Sequence, residues 1–111
     1  MNITNADAVL TKLGYVPNDA LRKQLENIKS NTNDYDKIIK HILDLHEALK
    51  VDKSYVAMSN SKDYFKIKIE AQTPQMKEEA LEKIKRFEEK FKVTLQKVDG
   101  KDTFYIKGFH H

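Results

Sequence analysis

The stretch Asp63-Tyr64-Phe65-Lys66-Ile67-Lys68-Ile69-Glu70-Ala71, continued after Thr73-Pro74 by a charged run and closed by Val93-Thr94-Leu95-Gln96-Lys97-Val98, Asp99-Gly100-Lys101-Asp102 and Thr103-Phe104-Tyr105-Ile106-Lys107-Gly108-Phe109, decides the fold. Apolar residues fall first at every second position. This predicts a strand with Phe65, Ile67 and Ile69 on one side and Tyr64, Lys66, Lys68 and Glu70 on the other. Thr73 is a helix cap, and Pro74 takes the first helical position, where its missing N–H costs nothing. Met76, Ala80, Ile84, Phe87 and Phe91 then recur at helical spacing, predicting a helix from Thr73 to Phe91. Beyond Phe91 the period returns to two, with Val93 and Leu95 inward. Asp99-Gly100 predicts a tight turn with positive backbone angles, and a last strand follows with Phe104 and Ile106 inward and Tyr105 and Lys107 outward.

Upstream, Ser54 to Ser59 is a further strand candidate. Before it, three helices are predicted. Thr4 is placed to cap the first, with Ile3 as a staple, Asp7 in the first turn and a stop at Gly14. Pro17 holds Val16 extended. Asn18 or Asp19 caps a second helix to about Lys29, with the narrow stripe Leu21, Leu25 and Ile28. Asp34 caps a third to Lys50, whose buried face is Tyr35, Ile38, Ile39, Ile42, Leu45, His46 and Leu49.

The expected class is α+β: N-terminal helices followed by a ββαββ unit. The second and fourth strands carry the most apolar inward sets, which places them centrally and gives a four-stranded antiparallel sheet ordered 3-4-2-1. An order 1-2-3-4 with a parallel central pair is the alternative. In the first order both long helices lie on one face, an architecture that resembles a ferredoxin-like plait with its first strand moved to the C-terminus. The chain reads as a single domain, 1–111, with residues 1–33 a helical addition and 34–109 the plait.

At 111 residues, 40% hydrophobic and 33% charged, with three Gly and two Pro, the chain has the composition of a charged globular domain. There is no Cys, which removes disulfides, thiolate nucleophiles and Cys-based zinc, and implies a reducing, cytoplasmic setting. No apolar run approaches a membrane span, and no secretory leader is expected. The net charge of +3 arises beyond residue 51, where thirteen Lys/Arg face ten Asp/Glu; the first 51 residues carry seven of each. The terminal His110-His111 pair is a native end or a tag remnant and takes no part in the fold reading.

No motif for catalysis or cofactor binding is present, so an enzyme is the least favoured class and no cofactor is expected. His41 and Asp44 share spacing for two metal ligands, but two ligands do not make a site, and no metal is expected. His46, within the apolar stripe, reads as a hydrogen-bonded boundary histidine. The glutamates of the fourth helix alternate with Lys and Arg as on a solvated face.

Two surfaces remain. Val9, Leu13, Tyr15, Leu21, Leu25 and Ile28 exceed what two short helices bury between themselves, which makes them a candidate protein interface. Tyr64, Lys66, Lys68, Tyr105 and Lys107 would share the uncovered sheet face, where rings stack on bases and ammonium groups neutralise phosphates. The first function expected is therefore a non-enzymatic intracellular module acting through protein contacts, with self-association as a homodimer one form of them. The second is a domain binding single-stranded nucleic acid. No membrane partner is expected.

Overall fold

The computed structural model describes residues 5–109. Helices α1 (Ala6–Lys12), α2 (Asp19–Asn31), α3 (Tyr35–Leu49) and α4 (Pro74–Phe91) accompany strands β1 (Ser54–Met58), β2 (Phe65–Ile69), β3 (Val93–Lys97) and β4 (Thr103–Phe109); a 3-10 turn, Lys50–Asp52, joins α3 to β1. The chain is α+β. Its sheet has the order β1-β2-β4-β3 with every neighbouring pair antiparallel. The order with a parallel central pair is thereby excluded.

Local chemistry fixes the helix ends. Asn5 accepts from the Ala8 N–H, Asn18 from the Leu21 N–H and Thr73 from the Met76 N–H, each satisfying a donor that the first helical turn leaves open. The cap of α1 is thus Asn5; Thr4 and Ile3, like His110-His111, lie outside the described residues. Gly14, with φ of 94°, ends α1 as expected. Asp34 enters α3 with φ of 52°, and Lys92 leaves α4 with φ of 52°. The β3–β4 turn differs from the tight form expected. Only Gly100 has positive φ there (74°); Lys101 donates to the Val98 carbonyl, and Val98 to the Thr103 carbonyl, so the hairpin closes around a wider loop.

Helices α3 and α4 pack on each other, and α3 also packs on β1 and β4. Beneath them Val56, Met58, Phe65, Ile67, Ile106 and Val93 are buried together with Ile38, Ile42, Ile84 and Phe87. The register explains why these residues meet: Val56 faces Ile67, Phe65 faces Ile106, and Ile67 faces Phe104. Asp52 is 1% exposed, and its carboxylate takes Lys83 Nζ at 2.7 Å, which also donates to the Ala48 carbonyl at 3.0 Å. A buried carboxylate needs such a cation, and here it ties α4 to the end of α3.

The N-terminal helices close the β1 side of the sheet. Tyr15 Oη accepts from the Met58 N–H at 3.0 Å, His46 Nδ1 accepts from the Val56 N–H at 3.0 Å, and Gln24 donates to the Ser59 carbonyl at 3.1 Å. An edge strand otherwise offers the Val56 and Met58 N–H groups to other chains.

The His46 contact carries a pH dependence. Burial, then Lys50 nearby, hold its pKa below the ordinary imidazole value, with Glu47 opposing weakly. A proton on Nδ1 would also replace the acceptor that Val56 uses. The folded state therefore binds fewer protons than the unfolded one, so this contribution is present above the unfolded pKa of 6.5 and is lost as pH falls through it toward the depressed folded value. Urea midpoints should decline as pH falls below about 6.5, before carboxylates titrate. In His46→Gln that decline should flatten; an unchanged decline would assign it to other groups.

Candidate functional site

With α3 and α4 on one side, the other side of the sheet is uncovered. Alternation places Tyr55, Lys66, Lys68, Thr103 and Tyr105 there, all half-buried, with Thr94 and Gln96 exposed toward β3. Cross-strand register sets Lys66 opposite Tyr105, Lys68 opposite Thr103 on β4 and Tyr55 on β1, and Gln96 opposite Tyr105. The five residues singled out from sequence thus come together on one surface.

On the β3 side of this cluster the ladder carries a bulge. Thr94 pairs with Gly108 and Leu95 with Ile106, which leaves Lys107 as an extra residue on β4. A bulge re-aims its side chain. Lys107 Nζ lies 4.1 Å from the Tyr64 ring centroid, a cation–π distance, and the Tyr64 and Tyr105 rings are 6.3 Å apart and tilted by 46°.

A polar hollow of about 180 Å3 adjoins the Tyr105 ring, lined among others by Lys66, Lys68, Lys101, Ser61 and Thr103. Hydrogen bonds from the Ser61 and Ser59 hydroxyls lower the Tyr105 pKa, and the Lys62 and Lys66 charges add to the effect; the Ser61–Tyr105 oxygen distance is 3.2 Å. Lys68 shares Glu70 with Tyr55: Nζ is 3.5 Å from the carboxylate, and the Tyr55 hydroxyl donates to it at 3.2 Å. Among the described residues no ion pair engages Lys66 or Lys107. The surface combines stacking rings, hydroxyl donors and cations, a chemistry suited to planar groups joined by anions.

Sequence reading missed Tyr55, Ser61, Lys101 and Thr103. Tyr55 is legible as the residue alternating with Val56. Lys101 and Ser61 come from loops, and only the folded register brings them beside Tyr105.

The other candidates fall elsewhere. Val9, Leu13, Leu25 and Ile28 are buried in the chain's own core, and Tyr15 and Leu21 pack partly against it. Little of the exposed apolar surface expected of them is left, because the two helices pack on each other and α2 packs on β1. His41 stacks on Phe91, centroids 3.7 Å apart and 11° from parallel, so its ring serves the α3–α4 contact. Among the described residues no three His, Asp or Glu converge as metal ligands, and no helix is long and apolar enough to cross a membrane.

Comparison with protein-family models, with curated proteins and with solved structures finds no match to this chain.

Proposed function

We propose that the uncovered sheet face binds single-stranded nucleic acid, with Tyr64 and Tyr105 stacking on bases and Lys66, Lys68, Lys101 and Lys107 neutralising phosphates. The observation that carries this reading is the pair of tyrosines side by side on a lysine-lined face that the helices leave bare. We read the architecture as a permuted ferredoxin-like plait, since β2, α4 and β3 form a crossover with β4 inserted between the two strands. The fold alone does not argue for a ligand; the surface does. A protein-binding module acting through residues 9–28 is the weaker reading, because those side chains are occupied within the chain. On this reading the domain is a binder rather than a catalyst, and the cysteine-free sequence favours an intracellular setting.

Fluorescence anisotropy with short RNA and DNA oligonucleotides, at low and physiological salt, tests it. Affinity should fall steeply with salt, and the slope should shrink by ~0.7 for each of Lys66→Ala, Lys68→Ala and Lys107→Ala. Tyr64→Ala and Tyr105→Ala should each weaken binding roughly five- to hundred-fold with little dependence on base sequence. Lys107 covers one face of Tyr64, so Lys107→Ala removes a charge and uncovers a ring; it should lose less affinity than Lys66→Ala. Absence of binding at low salt, where the electrostatic contribution is strongest, would discard the proposal.

A further inference from the structure

The two edges of the sheet are finished differently. In an antiparallel ladder alternate residues turn both main-chain groups toward the neighbour, and those between them turn both outward. On β1 the Ser59 N–H bond to the Tyr64 carbonyl sets this alternation, so Val56 and Met58 point outward; His46 and Tyr15 fill both donors. On β3 the Val98 N–H bond to the Thr103 carbonyl sets it, so Leu95 and Lys97 point outward. Among the described residues no hydrogen bond reaches these two from outside the β3–β4 ladder.

Charges lie beside this open edge. Glu88 and Glu89, at the end of α4, line a hollow of about 440 Å3 with Lys92, Val93, Thr94 and Leu95. Among the described ion pairs none uses Glu88, Glu89 or Lys97. The hollow is net negative, and the one cation on the strand itself stands at its far end.

We propose that a second copy of this chain pairs with the β3 edge, antiparallel about a two-fold axis at Leu95, joining two four-stranded sheets into one. Only a pairing of this kind uses the features together. It sets Leu95 against Leu95 of the second copy, where each donates to the other's carbonyl. It sets Val93 against Lys97, and so carries the ammonium of each copy to the hollow holding Glu88 and Glu89 of the other. On the uncovered face it sets Thr94 against Gln96, two polar side chains that face without conflict. A closed two-fold contact uses one edge twice and stops there, and on the β1 edges the outward donors of Val56 and Met58 are already taken. The inference does not depend on what the uncovered face binds.

Light scattering on the full chain over a rising concentration series should show the mass climb from 13.0 kDa toward twice that value. Lys97→Glu, which sets like charges together across the axis, should weaken dimerisation about tenfold or more. Combining it with Glu88→Lys and Glu89→Lys should restore the dimer. Leu95→Pro removes an outward donor without touching the β4 ladder and should abolish association. Leu95 is half-buried, so if that variant fails to fold, the three charge variants, all at exposed positions, decide alone. A monomeric mass throughout the series, or a dimer indifferent to Lys97→Glu, would overturn the proposal.

Discussion

Phe65→Ala is expected to lower the free energy of unfolding by ~3–5 kcal/mol, the range for deleting a buried aromatic ring. Phe65 is fully buried on β2, a central strand, with Met58 beside it on β1 and Ile106 on β4. Its ring stacks on Tyr35 at 6.3 Å and 22°, so it joins the sheet to the first turn of α3. Truncation removes contacts on several sides at once, and a central strand beneath two packed helices relaxes little into the space. Against a net stability of ~5–15 kcal/mol for a domain of this size, the loss would move the urea midpoint severely. A change under about 1 kcal/mol, the level of a surface substitution, would take Phe65 out of the core and undo the register that defines the uncovered face.

That register is legible in the amino-acid sequence because it rests on local period. Phe65, Ile67 and Ile69 alternate with Lys66 and Lys68, and Phe104 and Ile106 alternate with Tyr105; a strand that buries one face leaves only one way to place these sets. The starts of α2 and α4 are legible for a similar reason, since Asn18 and Thr73 bond within three residues of themselves. What is not legible depends on long separations. Tyr15 reaches Met58 across 43 residues and Gln24 reaches Ser59 across 35, and no local pattern announces either contact. Residues 9–28 therefore read as apolar surface in search of a partner, when the partner is the edge of the same chain's sheet. His46 reads as a hydrogen-bonded boundary residue, but nothing in the sequence says that its acceptor serves β1. The wide β3–β4 loop is hidden because Asp99-Gly100 suits a tight turn locally, whereas the observed closure runs from Val98 to Thr103.

The bulge at Lys107 is hidden as well, and it makes Gly108 the position where fold and candidate site are most tightly linked. Gly108 has φ of 127°, in a region that L side chains rarely adopt. A Cβ there would come within 2.3 Å of the Asn33 backbone nitrogen. The approach is close because Asn33 bridges Gly108 in parallel and its carbonyl accepts the Phe109 N–H at 2.9 Å, occupying the flank of β4 that β2 leaves beyond Phe65. Gly108→Ala thus combines backbone strain of ~1–3 kcal/mol with an overpacking cost of similar size, and should destabilise by ~2–6 kcal/mol. Gly100→Ala is the control: its φ of 74° also disfavours a side chain, but its Cβ would meet nothing within 4 Å, so it should cost only ~1–2 kcal/mol. Urea unfolding of the two variants side by side separates strain from collision, and equal losses would show that Asn33 does not press on Gly108. The difference also bears on binding. Relief of the collision requires β4 to move away from Asn33 just where Lys107 is turned toward Tyr64, so a Gly108→Ala protein that remains folded should lose nucleic-acid affinity while Gly100→Ala, remote from both residues in the hairpin loop, should keep it.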